Sequence, residues 1–172
     1  LLDVKTNGDK AIIALNEKLD NFHSNDFIVY KGEIEDAQSK ISMSLQNAIL
    51  QAKTNIEKFH IAQKEKFVPI ETMEGVSCWR KSVAIEKVGL YIPGGTAPLF
   101  STVLMLGIPA QIAGCNEIVL CTPPNSNWEI HPAILFAAKI CGISTIFKIG
   151  GAQAIAAMAY GTESVPKVFK IF

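Results

Sequence analysis

At 172 residues, with 49% apolar and 19% charged residues, the chain can bury one sizeable core plus an appendage and is not disordered. Sixteen basic residues balance sixteen acidic ones, so no basic stripe tracks a phosphate backbone and nucleic acid is not an expected partner. Cys78, Cys115, Cys121 and Cys141 form no CxxC pair and have no close His, and a disulfide framework would need a smaller, loop-rich chain, so they read as reduced, buried thiols of a cytoplasmic protein.

The N-terminus, Leu1-Leu2-Asp3-Val4-Lys5, lacks a signal-peptide layout and starts as though in mid-element. Asn7-Gly8-Asp9 is expected to open a first helix, with Ile12, Leu15, Leu19 and Phe22 on one face. Asn21 to Gly32 reads as a loop or a short extended piece. Beyond it, Ile34, Ala37, Ile41, Leu45, Ala48, Ala52, Ile56 and Phe59 recur at steps of three and four. That spacing predicts one continuous helix of about seven turns, with Glu35, Ser39, Gln46, Lys53 and Glu57 on the polar face. Its stripe is a packing surface for a neighbouring domain or subunit.

Phe67 to Ser82 predicts a β-hairpin turning at Glu74-Gly75. Strands follow at about 85–92, 117–122, 144–149 and 168–172. Helices alternate with them at about 99–113, 131–141 and 152–160, each closed by a glycine: Gly114, Gly142 and Gly161. From Val88 onward only seven residues are charged, against 25 in the preceding 87. Such apolar strands imply a parallel sheet covered on both faces, and helices so poor in charge need a further partner. The fold class is therefore α/β: an open, mainly parallel sheet, an incomplete Rossmann-like unit cut from something larger, preceded by a helical appendage and a β-hairpin. The boundaries are 1–66 for the appendage and 67–172 for the α/β unit with its hairpin. Val88 to Asn116 carries no charge, but prolines and glycines interrupt it, so its unbroken apolar part is about half the ~20 residues a membrane span needs. The last strand, Val168 to Phe172, is an exposed apolar edge and an aggregation risk.

In an open parallel sheet, ligands bind outside the carboxyl ends of the strands. Those ends are Tyr91-Ile92-Pro93-Gly94-Gly95-Thr96, Cys121-Thr122-Pro123-Pro124 and Ile149-Gly150-Gly151-Ala152-Gln153. Two carry paired glycines leading into a helix, whose free N–H groups suit an anion such as a cofactor phosphate. There is no GxGxxG and no acidic residue ending the second strand, so the standard dinucleotide fingerprint is missing. Tight βα turns account for the glycines equally well. Tyr91 can stack on a base or bond a cofactor, or sit at the core rim with a satisfied hydroxyl. Gln153 can donate and accept toward a ligand, or cap its helix. His23, His60 and His131 lie out of helical reach of one another and of cysteine, so a zinc site from this chain is not expected. A nucleophilic Cys115 or Cys121, as in an aldehyde-oxidising enzyme, is disfavoured by a helix-end and a strand position.

Three blocks resemble histidinol dehydrogenase. The first runs from Val88-Gly89-Leu90-Tyr91-Ile92-Pro93-Gly94-Gly95 through Thr96-Ala97-Pro98-Leu99-Phe100-Ser101 to Met105. The second is Pro109-Ala110 with Ile112-Ala113-Gly114-Cys115. The third is Gly150-Gly151-Ala152-Gln153-Ala154-Ile155-Ala156-Ala157 with Gly161-Thr162-Glu163-Ser164-Val165-Pro166-Lys167-Val168. Asn55-Ile56-Glu57 with Phe59-His60 also fits, so the resemblance covers nearly the whole chain. It implies oxidation of L-histidinol to L-histidine through histidinal with two NAD, in the last step of histidine biosynthesis. It also implies a homodimer with zinc at the substrate site. Tyr91 and Gln153 match NAD-contacting positions of that family, which favours a cofactor role for both. Glycines 94–95 and 150–151 would shape the crevice. The family's Asn in a Gly-Pro-Gly-Asn motif, its Gln, His and Asp zinc ligands and its Glu-His acid-base pair match no position up to Phe172. On that pattern the chain is an NAD-side piece, inactive by itself. The competing reading is a non-catalytic α/β binding or assembly module.

Overall fold

The computed structural model describes all residues except Phe22, Lys66, Gly95 and Thr96. Helix α1 spans Leu2–Asp20, and Gly8 interrupts it with φ 54° and ψ −132°. Asn7-Gly8-Asp9 therefore restarts a helix that has already begun. Asp9 N–H donates to Glu163 at 2.8 Å, and Ser164 Oγ donates to Asp9 at 2.6 Å, which fastens the kink to the far end of the chain. The buried face also differs from expectation. Val4, Ala11, Ile12 and Asn16 are buried and Leu15 partly so, whereas Leu19 is exposed; Phe22 lies outside the described residues.

The expected seven-turn helix is broken. Helix α2 (Lys31–Asp36) runs into a 3₁₀ turn (Ala37–Lys40), Ile41 is extended, and α3 (Met43–Ala62) starts afresh. Ser42 caps α3 by accepting from Leu45 N–H at 3.2 Å. Gln46, assigned to the polar face, is buried. Its Nε2 donates to the carbonyls of Gln38 and Ile41 at the break, the first of which also accepts from Ile41 N–H. Ala48 and Phe59 are exposed, and Ile49 takes the buried position. The stripe's spacing survives the break because Ile34, Ala37, Ile41, Leu45, Ile49 and Ile56 all pack against one core.

The hairpin forms as expected, β1 (Ile70–Met73) antiparallel to β2 (Val76–Cys78), but every residue of both strands is exposed. Strands β3 (Lys87–Tyr91), β4 (Glu117–Thr122), β5 (Thr145–Lys148) and β6 (Lys170–Ile171) make a parallel sheet in the order β5-β4-β3-β6. Helices α4 (Phe100–Ala113), α5 (Pro132–Ile140) and α6 (Gly151–Tyr160) connect them. Alternate strand residues point to opposite faces. Leu90, Leu120 and Ile146 join α2 to α5 in one core, while Val119, Cys121 and Phe147 join α1 and α6 in another.

The partner required by the charge-poor helices is the chain's own N-terminal region. α3 packs on α4, α2 and the 3₁₀ turn on α5, and α1 on α6. The extended piece within 21–32 also finds a place. Ile28 bridges Phe147, Val29 N–H donates to Ile146 and Lys148 N–H to Phe27, so this segment covers the β5 edge. At the other edge β6 is only two residues long, with Phe169 and Phe172 exposed on either side. Among the described residues no helix is long and apolar enough to cross a membrane.

Candidate functional site

In chain order the sheet grows from β3 to β4 to β5, then α6 carries the chain back past β3 to β6. The reversal puts a switch point beside the carboxyl end of β3, where open α/β sheets place their ligands. Tyr91 ends β3, paired with Cys121 of β4. Its hydroxyl accepts from Gly151 N–H at 2.9 Å, joining β3 directly to the first turn of α6. Gly151 can present that N–H because its φ is +58°, a conformation costly for residues with a Cβ. Tyr91 thus fills one of the free donor positions at the α6 N-terminus, and its half-buried ring rests against the second core.

Gln153 lies one turn into α6 and is only 4% exposed. Its Nε2 donates to Asp20 Oδ2 at 3.2 Å. Its Oε1 overlies the Gly151 Cα, 2.8 Å from where a Cβ would stand. The amide therefore spans from α1 to the glycine turn. Burial raises the Asp20 carboxyl above its ordinary range. Tyr91 and Gln153 are brought together around Gly151 but do not hydrogen-bond each other.

Pro123 packs between the two glycine turns. A Cβ on Gly94 would lie 2.5 Å from Pro123 Cγ, and one on Gly150 would lie 2.8 Å from its Cβ. Close packing on this ring is thus one reason for glycine at 94 and 150; Gly95 and Thr96 lie outside the described residues. Asp20 carried no sequence signal: it lies 133 residues from Gln153, and only the packing of α1 on α6 joins them. Pro123 was visible as a strand-end residue, but its contact with both turns was not.

Cys121 and Cys141 are buried as expected, whereas Cys115 is half-buried and Cys78 is exposed on the hairpin. Burial pushes the Cys121 thiol far above the ordinary thiol range, the Cys141 thiol up to about 12, and the Cys115 thiol upward as well. The histidines are dispersed. His131 Nδ1 caps α5 by accepting from Ala133 N–H at 3.1 Å, His23 faces Glu17 and Trp128, and His60 sits edge-on to Phe59. Among the described residues no three His, Cys, Asp or Glu side chains group as a metal site. A mostly apolar groove of about 1080 Å³ lies elsewhere, between the hairpin base and α4, lined by Phe67, Ile85, Met105 and Phe172; neither Tyr91 nor Gln153 lines it.

An open parallel sheet with a polar cluster at its switch point defines a Rossmann-like α/β protein. The histidinol dehydrogenase family model matches residues 1–172, so the chain belongs to the histidinol dehydrogenase family. It is 60% identical over 169 residues to a histidinol dehydrogenase of Bacteroides fragilis, and 62% identical to that of Bacteroides thetaiotaomicron. Each match covers 98% of this chain and 40% of the relative. The crystal structure of histidinol dehydrogenase from Elizabethkingia anophelis superposes with a TM-score of 0.96 at 54% identity, covering 99% of this chain and 40% of that one. The chain thus spans about two-fifths of the length of the relatives it matches.

Proposed function

We propose that residues 1–172 form the NAD-side part of a histidinol dehydrogenase, with the cofactor at the switch point between β3 and β6. The carrying observation is the cluster of Tyr91, Gly151 and Gln153 at the one place where this fold ordinarily takes a ligand, in a chain matched by the family along its whole length. The residues fit a dinucleotide. Gly94 and Gly150 keep the turns free of side chains, the α6 N-terminus supports an anion, and the Gln153 Oε1 faces Gly151 as an acceptor. Tyr91 holds the turn in place and lends its hydroxyl to the cofactor.

NAD supplies the hydride acceptor for oxidation of L-histidinol through histidinal to L-histidine, and this chain contributes binding and orientation. Zinc, expected from the family, finds no fitting donor set among the described residues, and no step is assigned to it. Proton removal from the hydroxyl needs a base within hydrogen-bond reach, which Tyr91 and Gln153 do not provide. The whole protein works as a homodimer, and the isolated chain is inactive; histidinol-dependent NADH formation from it would overturn that second statement.

The test is calorimetric titration of NAD into a full-length protein carrying this sequence and into its Gln153→Ala variant. Binding weakens about tenfold in the variant, as loss of one good hydrogen bond dictates. Unchanged affinity removes Gln153 from the cofactor site.

A further inference from the structure

We infer that Asp20 is a positioning residue: its carboxylate fixes which end of the Gln153 amide meets the cofactor, presenting Oε1 as an acceptor to a donor group of the ligand. The inference rests on the reading of Gln153 as a cofactor-binding residue. A primary amide has two nearly isosteric ends, an acceptor oxygen and a donor nitrogen, and only its partners select the orientation. An ionised carboxylate accepts and does not donate, so Asp20 Oδ2 at 3.2 Å takes the Nε2 end. The Oε1 end is then left over Gly151, and among the described residues nothing donates to it. It is a preset acceptor for a cofactor hydroxyl or carboxamide NH₂. With the amide reversed, the same group would present a donor and repel such a ligand.

Asp20 is itself held in place. Asn21 ends α1 in the left-handed conformation, its N–H bonded to the Asn16 carbonyl, so the last turn of α1 stops at Asp20. Asn16, one turn earlier on the same helix, is buried and reaches the Lys148 carbonyl at the end of β5 with its Nδ2, at 3.5 Å. Asp20 stands beside the glycine turn: a Cβ on Gly150 would lie in ordinary contact with Asp20 Oδ2, at 3.5 Å. Helix α1 is thereby a wall of the crevice as well as cover for α6.

The experiment is a double-mutant cycle in the full-length protein carrying this sequence, reading kcat and the KM for NAD in Asp20→Ala, Asp20→Asn, Gln153→Ala and Asp20→Ala/Gln153→Ala. Asp20→Ala raises the KM for NAD roughly three- to tenfold while kcat stays within about twofold. Asp20→Asn, which keeps an acceptor oxygen but also gains a donor, falls between Asp20→Ala and the parent. The double variant matches Gln153→Ala alone, because Asp20 acts only through that amide. Additive effects in the cycle, or a kcat loss accompanied by lower thermal stability, would overturn the positioning role and leave Asp20 as structural. If Gln153→Ala itself leaves KM unchanged, the cofactor reading of Gln153 fails instead, and the two failures are distinct.

Discussion

The α/β unit and the hairpin use apolar residues in opposite ways. Leu90, Val119, Leu120 and Ile146 on the sheet are at most 1% exposed, whereas Ile70, Met73 and Trp79 of the hairpin arm are each about two-thirds exposed. Both segments alternate or cluster apolar residues as strands do, so sequence alone assigned both as β. The difference is cover. The sheet has α4, α5 and α6 on its faces, and α1 to α3 behind them; nothing among the described residues lies over the hairpin. Apolar content predicts burial only where the topology supplies a second layer.

Substitutions should separate the two regions. Leu120→Ala empties space at the centre of the first core and is expected to cost about 2–5 kcal/mol, read from the midpoint of urea denaturation. Ser42→Ala leaves the helical cover in place but removes the α3 cap, for a loss of about 1 kcal/mol in the same measurement. Ile70→Thr on the hairpin should change stability by no more than about 0.5 kcal/mol while raising solubility, because that side chain is already in water. A cost above 2 kcal/mol for Ile70→Thr would mean that the hairpin is packed in solution and that the contrast fails.

Much of the fold was legible in the residues. The strands of the sheet fall within two residues of their expected ends, and the closing glycines follow their helices as expected. The long helical stripe misled because periodicity records which residues face a core and is blind to a break when both pieces pack on the same one. The available signal was Ser42, a good cap residue standing inside an assumed helix. Asn7-Gly8-Asp9 reads as a helix start, and the earlier turns of α1 were not legible, since Val4 is their only buried side chain. Tyr91 and Gln153 were legible as candidates because both stand at strand ends or just beyond, and the family resemblance favoured a cofactor role for them. Their partners were not: Gly151 meets Tyr91 across 60 residues, and Asp20 meets Gln153 across 133.

The contact of Pro123 with both glycine turns has an evolutionary consequence. Its rigid ring sits where a side chain on either Gly94 or Gly150 would have to go. A methyl group gained at one of those positions has room only if volume is lost at Pro123, and a smaller residue at 123 leaves a gap beneath both turns. The three sites therefore form a volume-conserving set drawn from separate strand ends. A lineage can retune the width of this crevice by coordinated change at all three positions, and single steps along that path are penalised.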